Sequence, residues 1–171
     1  MKLKRLLTAA LSAVMALSVC ALPAMAEGTT STSTFDPSIT KGTLTINKYE
    51  QTTEQAGKNP VDKGTPLDGV EFTIYQLATV KQANTEGSIG LEYIPTTTAL
   101  QSTDFEMAAD PVTGKIDSKA LYDQISIKIN TAVKDELNTA GKKKSATTGE
   151  GSVPGQAKFE NLPLGIYMVE E

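Results

Sequence analysis

Apolar and polar positions alternate with period two in three well-separated stretches of the chain, and this alternation is the mark of β-strands. In Gly42–Glu50, Leu44, Ile46 and Lys48 share one face and Thr43, Thr45, Asn47 and Tyr49 the other. In Asp68–Leu77, Val70, Phe72 and Ile74 alternate against Glu71, Thr73 and Tyr75, which makes Glu71 a solvated strand carboxylate. In Ile166–Glu171 both parities carry apolar groups, Tyr167 and Val169 on one and Ile166 and Met168 on the other. A strand apolar on both faces is expected to be central, with strands on either side. Pro163 and Gly165 punctuate the turn into it, and Gln156–Phe159 and Leu91–Ile94 read as further short strands.

The middle of the chain changes period. Leu121, Ile125, Ile129, Val133 and Leu137 recur every four residues, which predicts one helix capped by Asp117 or Ser118 and ended by Gly141. The competing reading is a strand over Ile125–Ile129. A shorter helix capped by Thr103 or Asp104 runs through Met107 and Ala109, and Asp110–Gly114 is a turn. Lys142, Lys143 and Lys144 complement the dipole of the preceding helix, and Ser145–Gly155 reads as an exposed loop. Gln51–Leu67, with Gly57, Pro60, Gly64 and Pro66, is also a loop.

The N-terminus carries a different signal. Lys2, Lys4 and Arg5 precede an apolar run from Leu6 to Leu22, and Ala24-Met25-Ala26 has the small-residue spacing of a cleavage site. Residues 1–26 therefore read as a secretory signal peptide cut after Ala26, the only part that meets a membrane. Residues 27–41, with the run Gly28–Thr34, form a polar leader or a short glycosylated stalk, and 42–171 form one domain. The single cysteine, Cys20, falls in the removed segment. A lipid anchor there competes, but bulky Val19 precedes it.

Losing three of 16 basic residues leaves 13 against 20 acidic ones, an acidic exported surface without the footprint of nucleic-acid binding. There is no His, no Trp and no mature Cys, so a zinc site of the usual ligands, a Cys–His pair or a Ser–His–Asp triad cannot be built. Acidic pairs occur without distinctive spacing, and no cofactor is indicated. An enzyme is the weakest of the functional readings.

The ordered blocks Gly42–Glu50, Pro66–Tyr75 and Phe159–Glu171 resemble the N-terminal domain of Gram-positive sortase-assembled pilin backbone subunits, related to the collagen-adhesin B-type fold. The resemblance implies an immunoglobulin-like β-sandwich with a helical insertion, in a fimbrial subunit exported to the cell surface and wall and joined covalently to other pilin subunits by a sortase. The alternative is a tip or surface adhesin module for a host glycan or matrix protein, although the chain offers no aromatic cluster to stack on a sugar. In such domains a first-strand lysine attacks an Asn or Asp of the last strand with help from a buried acid. The resemblance carries these roles onto Lys48 and Glu171, the latter in a Tyr-x-Val-x-Glu variant of the family's Tyr-x-Leu-x-Glu motif. No later strand supplies the amide, and Asn161 is read in the turn before the strand. The family's sorting signal and pilin motif are also absent, so the chain reads as the front part of something longer, with an exposed strand edge that would favour aggregation.

Overall fold

The computed structural model describes residues 38–50, 64–85, 88–106 and 116–171. The signal peptide and its cleavage after Ala26, Cys20, the leader as far as 37, the loop 51–63, the end of the first helix and the turn 110–114 all lie outside them. The described body is mainly β. In chain order it runs β1 (Lys41–Asn47), β2 (Glu71–Thr85), β3 (Ser88–Pro95), α1 (Ser102–Glu106), α2 (Ser118–Ile125), a 3-10 turn (Ser126–Lys128), α3 (Thr131–Thr139), β4 (Lys143–Thr147), β5 (Gln156–Pro163) and β6 (Gly165–Glu170).

Two sheets form. β1 pairs antiparallel with β5, from Lys41 opposite Pro163 to Asn47 opposite Gln156. β2 is the centre of the other: β6 pairs with its residues 73–79, β4 with 71–75 and β3 with 78–85, all antiparallel. Since β6 shares residues of β2 with both β4 and β3, it takes one edge of β2 while β4 and β3 follow each other along the opposite edge. The helices therefore leave and rejoin the same edge.

Side-chain parity on β2 sorts the interior into two cores. Phe72 and Ile74 point to the β1–β5 sheet and pack with Leu44, Ala157, Phe159, Leu162, Tyr167 and Val169. Tyr75 and Leu77 point the other way and pack with Tyr93, Phe105, Leu121, Ile125, Val133, Leu137, Ile166 and Met168. The result is three layers: a two-stranded sheet, the β2-centred sheet, and the helices. Burying Leu77, Leu121, Ile125 and Leu137 completely contributes about 1.5–3 kcal/mol each relative to exposure.

Several expectations change. β6 is buried on both faces, but among the described residues its only strand partner is β2. Its two apolar faces reflect a layer above and a layer below rather than strands on either side, and β2 is the central strand. Tyr75, read with the solvated parity, is buried against the helices. Lys143–Thr147 is a strand instead of a loop, with Lys144 opposite Ile74 and Lys143 opposite Tyr75. β2 continues eight residues beyond Leu77 into the hairpin with β3.

The single long helix is two helices. Asp117 caps α2, its Oδ1 accepting from the Lys119 and Ala120 N–H groups at 2.9 and 3.0 Å. Asn130 caps α3, accepting from the Val133 N–H at 3.1 Å. A four-residue repeat advances about 40° per step beyond full turns on a 3.6-residue helix, so over four steps Leu137 would rotate off the face that Leu121 defines. The break at Ile129 and Asn130 resets the phase, and all five apolar residues reach the core. At the other end Gly141, at φ 68°, closes α3. The Lys142 N–H donates to Leu137 O at 2.7 Å and the Gly141 N–H to Asn138 O at 3.0 Å. These paired bonds form a Schellman cap. Asp104 does not cap α1 but lies inside it, accepting from the Gln101 N–H at 3.0 Å.

Two residues shape the passage from β5 to β6. Asn161, at φ 54°, sits within β5 where the register with β1 slips between Gly42 and Leu44. Asparagine is one of the few residues that tolerates this left-handed bulge position. Gly165 is needed for closeness rather than for a positive φ, because a Cβ there would run into the Ala78 carbonyl oxygen.

Candidate functional site

Lys48 and Glu171 meet. β1 and β6 belong to different sheets, yet both start at the end where the Leu164 N–H donates to Thr40 O at 3.3 Å, and both run the same way. At their far ends the Lys48 Nζ donates to Glu171 Oε2 at 2.6 Å. The contact follows from parity: Lys48 continues the face of Leu44 and Ile46, and Glu171 continues that of Tyr167 and Val169, so both project into the space between the sheets at its open end.

The backbone of Lys48 is fixed from two sides. Its N–H donates to Gly155 O at 2.7 Å, and its carbonyl accepts from the Leu67 N–H at 3.0 Å. Asp68 holds the same loop, its Oδ1 accepting from the Gly155 N–H at 2.6 Å. Gly155 adopts φ 69°, and a Cβ on it would strike the Lys48 carbonyl and Pro66. Thr148 completes the seam, its buried Oγ1 accepting from the Val70 N–H at 3.0 Å. Two stretches of chain, around Leu67 and around Gly155, thus set the position of one lysine.

Glu170, with the opposite parity, reaches the other layer and binds the ammonium of Lys134 on α3. Neighbouring glutamates at the end of β6 therefore tie that strand to both flanking layers. Burial first, and the Glu170 carboxylate second, push the Tyr75 phenol above its ordinary value.

Lys48 and Glu171 form an ion pair at the rim of the space between the sheets, their side chains 31% and 34% exposed rather than enclosed in the dry site that the resemblance implies. Asn161 is not an acceptor for Lys48. Gly155 and Gln156 adjoin the lysine, while Asn161 lies five residues further along β5, about 16 Å away at strand rise. Among the described residues no three acidic side chains gather to hold a metal ion, and no helix is long and apolar enough to cross a membrane.

Three features escape a reading of sequence periodicity. Tyr167 turns its hydroxyl back across the β5–β6 bend and donates to Pro163 O at 2.8 Å. Burial pushes its phenol up to about 12. Asp104 receives the Lys128 ammonium on both oxygens, at 2.7 and 2.9 Å, joining α1 to the turn before α3. Glu136 on α3 accepts from the Thr97 hydroxyl at 2.9 Å and the Thr98 N–H at 3.2 Å, fastening the helices to the end of β3. No alternation or repeat in the sequence marks any of these three contacts.

Comparison of the chain with known protein families, with curated proteins and with solved structures finds no match to any of them.

Proposed function

We propose that the chain is a structural subunit, or the N-terminal part of one, of a covalently assembled pilus on a Gram-positive cell surface, its body an immunoglobulin-like sandwich with a helical layer added. The observation that carries this reading is the 2.6 Å contact between Lys48 and Glu171, the two residues to which the pilin resemblance assigns paired roles from blocks 123 positions apart. All three resembling blocks also contribute to one core, through Leu44, Phe72, Ile74, Phe159, Leu162, Tyr167 and Val169. The Tyr167 hydroxyl on the Pro163 carbonyl supports the immunoglobulin-like part, because such sandwiches use a tyrosine bonded to backbone a few residues upstream where the chain changes sheets.

In this reading the domain is exported by its signal peptide, joined to other subunits by a sortase and held at the wall, with adhesion as the fibre's role. The test is an immunoblot of wall extracts from the producing cells, boiled in SDS and probed with antibody raised against the chain. A ladder of high-mass bands that disappears when the sortase is deleted is the expected result. A single band at subunit mass would overturn the reading.

A further inference from the structure

Thr40 and Glu171 lie at opposite ends of the strands of the described body. Thr40 stands at the start of β1 beside the β5–β6 bend, and Glu171 stands at the end of β6 beside Lys48. A load that separates Thr40 from Glu171 draws β1 toward one end and β6 toward the other.

From this geometry we infer that the body is a shear clamp that bears tension along the strand axis. β1 is held by six registered pairs to β5, from Lys41–Pro163 to Asn47–Gln156. β6 is held by another set to β2, from Gly165–Thr79 to Glu170–Thr73. Antiparallel hydrogen bonds lie perpendicular to the strands, so a pull along the strands loads each set together instead of opening it one bond at a time. The covalent β5–β6 bend couples the two sets.

The end of β6 adds two ionic ties. Lys48–Glu171 joins the two strands that the load draws apart, and Lys134–Glu170 anchors β6 to α3. A slip of one two-residue repeat, about 7 Å, carries Lys48 out of reach of Glu171. The Lys48–Glu171 pair is therefore loaded from the first movement of β1 against β6. The rigid backbone setting of Lys48, between Gly155 and Leu67, keeps it from following. The use of such a clamp in a fibre rests on the pilus reading, whereas the clamp itself rests on topology alone.

Single-molecule pulling on the whole chain tests it. With Cys20→Ser no native cysteine remains. One preparation carries Thr40→Cys and a cysteine appended after Glu171, which loads the clamp. The other carries Thr40→Cys and Leu164→Cys, which lie opposite each other at the start of β1 and the β5–β6 bend, and peels β1 from β5. The expected unfolding force is at least about twofold higher in the first geometry at equal loading rate, since six pairs resist together. Equal forces, or a stronger peel, would overturn the clamp. Lys48→Met should lower the force in the first geometry alone, and an equal proportional drop in both would remove the ion pair from it. Anisotropy without a ladder on cells leaves the clamp and ends the pilus reading; a ladder without anisotropy does the reverse.

Discussion

Replacing Asp104 by Asn removes one negative charge from the helical layer while keeping the shape of the side chain. The Asp104 carboxylate is almost wholly buried and receives Lys128 twice, the Gln101 N–H at 3.0 Å, and Gln124. Burial alone would raise this carboxyl, but the hydrogen bonds from Lys128, Gln101 and Gln124 and the charge of Lys128 outweigh it and hold the pKa below 3.8. Hydrogen bonds to charged groups contribute about 1.5–3 kcal/mol. Lys128 is 37% exposed and regains water when released, so the lower part of that range applies. The Asn variant, which can still accept from Gln101, should lose about 1–1.5 kcal/mol at pH 7.

The sign of the pH dependence follows from the lowered pKa. A carboxyl that titrates lower when folded contributes its stability above the unfolded value and loses it as pH falls through the folded one. The gap between wild type and Asp104→Asn should therefore be constant from pH 7 to about 5 and close progressively below about 4. Urea unfolding followed by circular dichroism, at pH 7, 5, 4 and 3, measures it; tryptophan fluorescence is not an option, since the chain has none. A gap that stays unchanged to pH 3, or no gap at pH 7, would refute the placement of Lys128 on Asp104.

A double-mutant cycle with Lys48→Met and Glu171→Gln should give a coupling of about 0.5–1 kcal/mol that shrinks on going from 0.1 to 1 M salt, as expected for a pair one-third exposed. A coupling above about 3 kcal/mol would place the pair in a dry interior instead. Tyr167→Phe should cost about 1–2 kcal/mol by leaving the Pro163 carbonyl without its donor, measured by the same unfolding assay. An unchanged midpoint would mean that the hydroxyl does not close the β5–β6 bend.

Much of the local structure is written in the sequence because local rules are short-ranged. Alternation at Leu44 and Ile46, and at Phe72 and Ile74, marks faces that do pack on a shared core. Asp117 and Gly141 mark helix ends, since a carboxylate two or three residues before orphan N–H groups and a residue free to take positive φ satisfy the termini wherever the helix lies. Even the helix break was implicit: five apolar residues at strict four-residue spacing cannot share one face of a straight helix. Parity put Lys48 on the row of Leu44 and Ile46 and Glu171 on that of Tyr167 and Val169, but that the two touch, and that both stay one-third exposed, was not legible.

What only the tertiary structure decided concerns partners. Periodicity tells which faces are covered, not what covers them, so two apolar faces on β6 stood equally for flanking strands and for flanking layers. Lys143–Thr147 has no apolar alternation because it is held to β2 by backbone pairing at an exposed edge, where lysines serve well. The bonds of Tyr167, Asp104 and Asp68 join groups whose attraction acts over a few ångströms, and folding alone brings them that close. The sequence by itself determined strands, caps and the exclusion of His-based chemistry; the packing of three layers determined which end of each strand faces which, and hence the site and the direction in which the body resists load.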